Sequence, residues 1–205
     1  MTMAHSGGPT QRHVVGNISL SLDGRTNGPG GEYDMGWVAP HAVTDGSRQH
    51  LRDLCARTTT VLLGRRNYQG FSSYWPAVAD DEGADPRDRE FSRWFNQVDK
   101  IVFSRTLTTA EWQNAQLVAG DPASVVRQLR VVEGGDIAVL ASASIIRALL
   151  AAGELDRLSI TLCPEIAGGG SRLFDEGQGA SSWSLRESAP TESGAIYLLY
   201  ELRRQ

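Results

Sequence analysis

The spacing of hydrophobic residues differs between segments of this chain, and each spacing predicts one type of secondary structure. Residues 59–63 form a short, unbroken β-rich apolar run, which is typical of a strand buried on both faces of a parallel sheet. Elsewhere, apolar positions three and four residues apart indicate helices with one buried face. Strands are predicted to begin at residues 14, 59, 100, 115, 136, 158, 183 and 195. Helices are predicted from residue 44 or 45 to about 57, and over 88–98, 122–132 and 142–152.

The order of these elements predicts the fold class. Strands and helices alternate through most of the chain, and the last elements are strands alone. This order is typical of an α/β fold with a mainly parallel central sheet flanked by helices. Residues 183–188 and 195–202 flank a Pro- and Gly-containing turn, which predicts an antiparallel C-terminal hairpin at the edge of the sheet.

Length and composition favour one domain. The chain has 205 residues, of which 40% are hydrophobic, and this is enough for a single core. Residues 1–12, rich in Gly, Ser and Thr, predict a disordered leader, so residues 13–205 are expected to form the domain. The glycine-rich residues 25–43 are interpreted as a functional loop, and the stretch after Phe71 is predicted to be irregular because it contains Pro76.

Charge and cysteine content exclude several functions. The net charge of −4 and the absence of a basic stripe argue against a nucleic-acid partner. No stretch resembles a signal peptide or is apolar for long enough to span a bilayer, so a cytoplasmic protein without a membrane partner is expected. Cys55 and Cys163 are too few for a disulfide framework and lack metal-ligand spacing, so no metal site is predicted.

Polar residues follow three predicted strands where each strand ends. The three sets are Gly64-Arg65-Arg66-Asn67, Ser104-Arg105 and Ala141-Ser142-Ala143-Ser144. If the strands are parallel neighbours, all three sets lie along the edge where open α/β sheets bind ligands. Backbone N–H groups at a helix start bind phosphate, and arginine is the usual partner of an adenosine 2′-phosphate. The pattern therefore predicts NADPH as the cofactor.

Several motifs, taken in order and spacing, resemble one known family. They are Ser21-Leu22-Asp23-Gly24, Leu63-Gly64-Arg65-Arg66-Asn67-Tyr68, Ile101-Val102-Phe103-Ser104-Arg105, the Ala141-Ser142-Ala143 helix start, Leu155-Asp156, and Gly168-Gly169-Gly170. The chain resembles the dihydrofolate reductase-like family, and most closely the C-terminal reductase domain of the bacterial riboflavin-biosynthesis bifunctional enzymes. The resemblance covers residues 13–203.

This resemblance implies an activity and a layout of the site. The implied activity is an NADPH-dependent reductase that transfers hydride to a small heterocyclic substrate of the pterin or ribosylaminopyrimidine type, as in folate or riboflavin metabolism. The first polar set would approach the phosphates of NADPH, the second the adenosine 2′-phosphate, and the third the pyrophosphate. Asp23 and the loop after it would lie near the nicotinamide and the substrate. A homodimer is also implied.

The resemblance also implies the catalytic carboxylates, which are predicted to be Asp23 and Asp45, since in dihydrofolate reductases a carboxylate on the first helix holds the pterin. A structural role for Asp23 stays equally open, because Asp-Gly is a common turn dipeptide. Asp45 is preferred to His41, Arg48 and Asp53, which lie in the same region.

One departure from the family pattern supports an alternative function. Where the family usually has Gly-Gly or Gly-Ser, this chain has Ala141-Ser142, and a Cβ atom there would obstruct the close approach of a pyrophosphate. The alternative is a dihydrofolate reductase-like protein that binds a flavin or another ligand without reductase activity. A third reading is a reductase with another nicotinamide or a deazaflavin donor, in which Arg105 meets no 2′-phosphate.

Overall fold

The computed structural model describes residues 12–174 and 176–204. The strands are β1 (Val14–Leu20), β2 (Thr58–Gly64), β3 (Asp99–Phe103), β4 (Ala115–Val118), β5 (Asp136–Leu140), β6 (Arg157–Leu162), β7 (Trp183–Pro190) and β8 (Ile196–Leu202). The helices are α1 (Ala39–Ala42), α2 (Asp45–Arg57), α3 (Arg65–Val78), α4 (Pro86–Gln97), α5 (Pro122–Arg130) and α6 (Ala143–Ala151), and a short 3-10 helix covers Gly36–Val38.

All eight strands form one sheet in the order β4-β3-β2-β5-β1-β6-β8-β7. The first six strands in this order run parallel to one another. Strand β8 runs antiparallel to β6, and β7 runs antiparallel to β8. The predicted α/β fold with an antiparallel C-terminal hairpin is therefore confirmed. The three strands that end in polar residues, β3, β2 and β5, are direct neighbours.

Both faces of the sheet are covered, so the central strands are buried on two sides. Leu62 packs with residues of α5 and α6, whereas Val61 and Leu63 pack on the opposite face with residues of α2, α3 and α4. None of these three β2 side chains is exposed to solvent. The unbroken apolar run is thus explained, because alternate side chains of one strand enter two separate cores.

The stretch after Phe71 is helical, which corrects the prediction of an irregular segment. Helix α3 continues to Val78 with Pro76 inside its last turn, where the missing proline N–H removes only one helical hydrogen bond. The Ser92 hydroxyl of α4 donates to the carbonyl of Trp75 at 2.5 Å. The Trp75 ring packs edge-on against Phe91 of α4 at 4.6 Å. Packing between α3 and α4 therefore overrides the local signal to break the helix.

The predicted leader lies outside the described residues except for Arg12. That side chain is buried, and its guanidinium donates to the hydroxyl of Thr60 at 2.7 Å and to the carbonyl of Gly135 at 2.7 Å. Arg12 therefore ties the start of β1 to β2 and to the loop before β5.

Candidate active site

Two helices begin side by side at the carboxyl edge of the sheet. Strand β2 passes into α3 at Gly64, and β5 passes into α6 through Ala141 and Ser142. Neither helix has a side chain that caps its first-turn amides. The first amides of a helix lack intrahelical partners and carry the positive end of the helix dipole. Two adjacent uncapped helix starts make this edge suited to an anion such as a diphosphate.

The Ser142 hydroxyl fastens the two helix starts together. It accepts hydrogen bonds from the Gly64 amide and from the Asn67 side-chain amide, each at 2.9 Å, and it donates to the carbonyl of Leu140 at 2.9 Å. Ser142 is almost fully buried. Its side chain therefore does not cap its own helix but joins β5 to β2 and α3.

Ala141 has a left-handed backbone with φ of 51°. Its amide donates to the carbonyl of Asn17 at 2.9 Å, which fixes this conformation at the end of β5. An alanine there is strained, because its Cβ crowds the carbonyl oxygen. The described residues contain no cis peptide bond. The departure from the Gly-Gly pattern is thus accommodated by a strained residue, at the point where the chain turns into α6.

Replacing Ala141 with glycine is expected to raise the unfolding free energy by about 1 kcal/mol, because glycine adopts positive φ without steric cost. The matched control is Ala143→Gly, since Ala143 lies in α6 with helical geometry. Glycine there should lower the unfolding free energy by about 0.5–1 kcal/mol. Urea denaturation of both variants measures the difference. Equal destabilisation by the two substitutions would contradict the strain at Ala141.

Arg65 and Arg66, the first two residues of α3, contact different loops. The Arg65 guanidinium donates to the hydroxyl of Thr106 at 3.0 Å and so links the end of β2 to the loop after β3. Arg66 forms an ion pair with Glu32 of the glycine-rich loop. Both side chains are already engaged within the protein, and a bound anion would compete with these exposed contacts.

Ser104 and Arg105 have different roles at the end of β3. The Ser104 hydroxyl accepts hydrogen bonds from the amides of Thr106 and Leu107 at 3.1 and 2.9 Å and shapes the turn. Arg105 is exposed, and its guanidinium has no hydrogen bond or ion pair within residues 12–174 and 176–204. Arg105 is therefore the arginine of this edge whose guanidinium is available for a ligand.

Asp23 anchors a loop. Its carboxylate accepts from the hydroxyl of Ser21 at 2.7 Å and from the amides of Ala167 and Gly168 at 2.9 and 3.2 Å. The hydrogen bond from Ser21, supported by those from the two amides, lowers the pKa of Asp23 to about 2. The group is therefore ionised at neutral pH and holds the Gly168-Gly169-Gly170 turn, which favours the structural alternative stated for it above.

The Gly168-Gly169-Gly170 turn packs closely against the glycine-rich loop. Gly170 has φ of 87°, and a Cβ atom there would lie 2.1 Å from the carbonyl oxygen of Asn27. Only glycine fits such an approach. The glycine-rich loop, residues 25–43, is partly helical, since it contains the 3-10 helix and α1.

Asp45 pairs with a residue of another helix and not with the other predicted site residues. It is the first residue of α2, its side chain is 76% exposed, and it forms an ion pair with Arg87 of α4. No hydrogen bond joins it to the residues at the two helix starts in the described part of the chain. The structure therefore joins the first and third polar sets by hydrogen bonds, with Arg105 in the loop after the neighbouring strand β3, but not Asp45.

Sequence reasoning missed a polar cluster on the face of the sheet covered by α2. It consists of Asn17 of β1, Ser159 of β6 and His50 of α2, joined by hydrogen bonds of 2.8 and 2.9 Å at the Ser159 hydroxyl. An asparagine two residues after the buried Val15 in a central strand is the signal that was available. Its partners come from 33 and 142 residues away along the chain, so their contact was not visible.

No group of three or more His, Cys, Asp or Glu side chains able to hold a metal ion occurs among the residues that the structure describes. In the same part of the chain, no helix has the length and apolar character needed to cross a membrane.

Comparison with known proteins identifies relatives in sequence and structure. Residues 12–197 match the RibD C-terminal domain. The chain is 24% identical over 190 residues to YyaP of Bacillus subtilis (strain 168), an uncharacterized protein, and the match covers 93% of this chain and 95% of YyaP.

Three solved structures share the fold. A protein of Shewanella sp. PV-4, provisionally named for riboflavin biosynthesis, has a TM-score of 0.69 at 21% identity and covers 94% of this chain and 99% of its own. The diaminohydroxyphosphoribosylaminopyrimidine deaminase/5-amino-6-(5-phosphoribosylamino)uracil reductase of Thermotoga maritima has a TM-score of 0.63 at 15% identity, covering 94% and 57%. Dihydrofolate reductase of Enterococcus faecalis, complexed with NADP(H), has a TM-score of 0.61 at 15% identity, covering 96% and 99%.

Proposed function

We propose that this chain, which belongs to the RibD C-terminal domain family, is an NADPH-dependent reductase that acts on a small heterocycle of the pterin or ribosylaminopyrimidine type. Members of this family are reductase domains that typically use NAD(P)H. The proposal extends that family character to this chain and to a phosphorylated nicotinamide cofactor.

The observation that carries the proposal is the pair of uncapped helix starts at Gly64 and Ser142. The Ser142 hydroxyl joins them at 2.9 Å, so the amides of α3 and α6 are held in one rigid edge before any ligand binds. A diphosphate offers several anionic oxygens and suits two helix dipoles better than one. The edge therefore fits the pyrophosphate of a dinucleotide.

Different residues of the chain would bind different parts of NADPH. The amides of α3 and α6 would hold the pyrophosphate, and Arg105 would accept the 2′-phosphate. When bound, the nicotinamide supplies the hydride. The protein's part is to hold the substrate's carbon–nitrogen double bond against the cofactor and to exclude water, while a proton reaches the nitrogen.

The proposal is tested by titrating the purified protein with NADPH, NADH and FMN, and by repeating the titration with Arg105→Ala. NADPH should bind more tightly than NADH by roughly 10- to 100-fold, because a charge-assisted hydrogen bond to the 2′-phosphate is worth about 1.5–3 kcal/mol. Arg105→Ala should remove most of this preference. Arg186→Ala, on β7 at the far edge of the sheet, is the matched control and should preserve it. Failure of NADPH to bind would overturn the proposal.

A second candidate function is a ligand-binding protein without reductase activity. The strained Ala141 favours it, because the Cβ stands where the family pattern has glycine and narrows the approach of a pyrophosphate. In the same titration, this candidate predicts that FMN binds and that neither nicotinamide cofactor does.

We also propose that the chain forms a homodimer through its C-terminal hairpin. Leu185 of β7 and Ile196 of β8 are 51% and 41% exposed. Among the described residues, β7 is the last strand of the sheet and has one unpaired edge, which favours association. Light scattering coupled to gel filtration should give twice the 22.2 kDa of one chain. Leu185→Lys should shift the protein to monomer, whereas Val131→Lys, at an exposed apolar residue after α5, should not. A monomeric wild-type protein would contradict the dimer.

A further inference from the structure

The Ser159 hydroxyl is the centre of the polar cluster between the sheet and α2. Ser159 is fully buried. Its hydroxyl accepts from the side-chain amide nitrogen of Asn17 at 2.8 Å and contacts Nε2 of His50 at 2.9 Å. A buried hydroxyl with two partners holds both of them in place, because breaking either contact leaves a polar group unsatisfied.

Asn17 lies level with the proposed cofactor edge. In the sheet it stands opposite Leu140, the last residue of β5, and its carbonyl accepts from the amide of Ala141. Val15 of the same strand packs on the α2, α3 and α4 side, and side chains two residues apart share a face. The Asn17 side chain therefore lies on the face of the sheet that α2 covers, beside the end of the strand that leads to α6.

The cluster is electrically neutral at physiological pH. Burial lowers the pKa of His50 to about 4, and burial raises the pKa of Tyr197 to about 12. The Tyr197 ring stacks on the His50 imidazole with centroids 3.4 Å apart. Within the described residues, no carboxylate is hydrogen-bonded to the side chains of Asn17, Ser159 or His50. The cluster therefore offers dipoles rather than a charge.

The side-chain amide nitrogen of Asn17 forms a hydrogen bond within the protein, and its amide oxygen is available to a ligand. Its nitrogen is committed to Ser159, while its oxygen has no hydrogen-bond partner in residues 12–174 and 176–204. The side chain is half-buried rather than enclosed. A half-buried acceptor held in one orientation by a buried hydroxyl is the kind of group that fixes a small ligand.

We propose that the Asn17 amide oxygen accepts a hydrogen bond from an uncharged N–H group of the heterocyclic substrate, and that Ser159 and His50 are positioning residues that orient this amide. The inference rests on the proposed reductase function and adds the residues that recognise the substrate. A neutral acceptor suits a neutral ring N–H or amino group, whereas a cationic ring would require a carboxylate here. Asn17 is thus a determinant of specificity.

The test measures two quantities in each variant: the dissociation constant for NADPH, and KM and kcat with NADPH and 5-amino-6-(5-phosphoribosylamino)uracil. Asn17→Ala should raise KM about tenfold and leave the NADPH dissociation constant within twofold. Ser159→Ala should raise KM severalfold, and Ser159→Thr, which keeps the hydroxyl, should restore it. Ser92→Ala removes another fully buried hydroxyl, in α4, and should change neither constant.

The two measurements distinguish a failure of the proposed role of Asn17 from a failure of the proposed reductase function. A rise in KM with unchanged NADPH binding supports the role of Asn17. An unchanged KM in Asn17→Ala overturns the inference and leaves the reductase intact. Equal changes in KM and in NADPH binding, matched by Ser92→Ala, also overturn it, because they indicate a general loss of structure. Absence of NADPH binding in the wild-type protein overturns the proposed function and, with it, the inference.

Discussion

Replacing Ser142 with alanine is expected to lower the unfolding free energy by about 2–3 kcal/mol and to weaken NADPH binding on the order of 30-fold. The physical reason is that one hydroxyl satisfies three groups: the Gly64 amide, the Asn67 side chain and the Leu140 carbonyl. Without it, two donors at the proposed cofactor edge lose their acceptor, and the starts of α3 and α6 are no longer held together. Urea denaturation and a fluorescence titration with NADPH measure the two effects.

The matched control for this prediction is Ser144→Ala. Ser144 lies two residues further along, is exposed in the first turn of α6, and makes no side-chain hydrogen bond within the described residues. Its unfolding free energy should change by less than about 0.5 kcal/mol. If Ser142→Ala lowers the unfolding free energy no more than Ser144→Ala does, then the hydroxyl does not organise the edge, and the observation that carries the proposed function is lost.

Replacing Asp156 with alanine is expected to cost about 3–5 kcal/mol of unfolding free energy. This carboxylate is buried, and it accepts from the amide of Val14 at 2.8 Å and from the guanidinium of Arg130 at 2.7 Å. It also pairs with Arg204 at the end of the chain. Its removal takes the 2.7 Å carboxylate contact from the largely buried Arg130 and leaves it the longer ion pair with Glu154 at 3.5 Å. It also releases β1, α5 and the C-terminal strand from their common anchor.

Glu201→Ala provides the comparison for Asp156. Glu201 pairs with Arg157 and Arg186, but its side chain is 28% exposed. Solvent screens such a pair, so its loss should cost no more than about 1 kcal/mol. Thermal and urea denaturation of both variants measure the two losses of unfolding free energy. Similar losses in the two variants would show that Asp156 is not a central anchor of the fold.

The polar ends of three strands could be found from sequence because each signal is local. An apolar run followed at once by Gly64-Arg65-Arg66 marks the end of a buried strand, and the same holds before Ser104 and Ala141. Strands of this type with helices between them form parallel sheets, whose carboxyl ends share one edge. Fold class, strand positions and the candidate cofactor edge follow from these patterns.

The functions of single side chains at that edge depended on contacts between distant segments. Ser142 and Gly64 are 78 residues apart, and nothing local distinguishes a serine that caps its own helix from one that joins two helices. Asp45 is another example: the sequence predicted it as a site carboxylate, whereas in the structure it forms an ion pair with Arg87 of another helix. Sequence alone therefore identified the edge but not the atoms that organise it.

The amino-acid sequence by itself determined the α/β architecture, the C-terminal hairpin and the line of polar strand ends, because hydrophobic period and helix and strand boundaries are encoded over a few neighbouring residues. Only the tertiary structure decided the course of α3 through Pro76, the strained backbone of Ala141 and the meeting of Asn17, His50 and Ser159. These features arise where packing and hydrogen bonds between remote segments outweigh local preference.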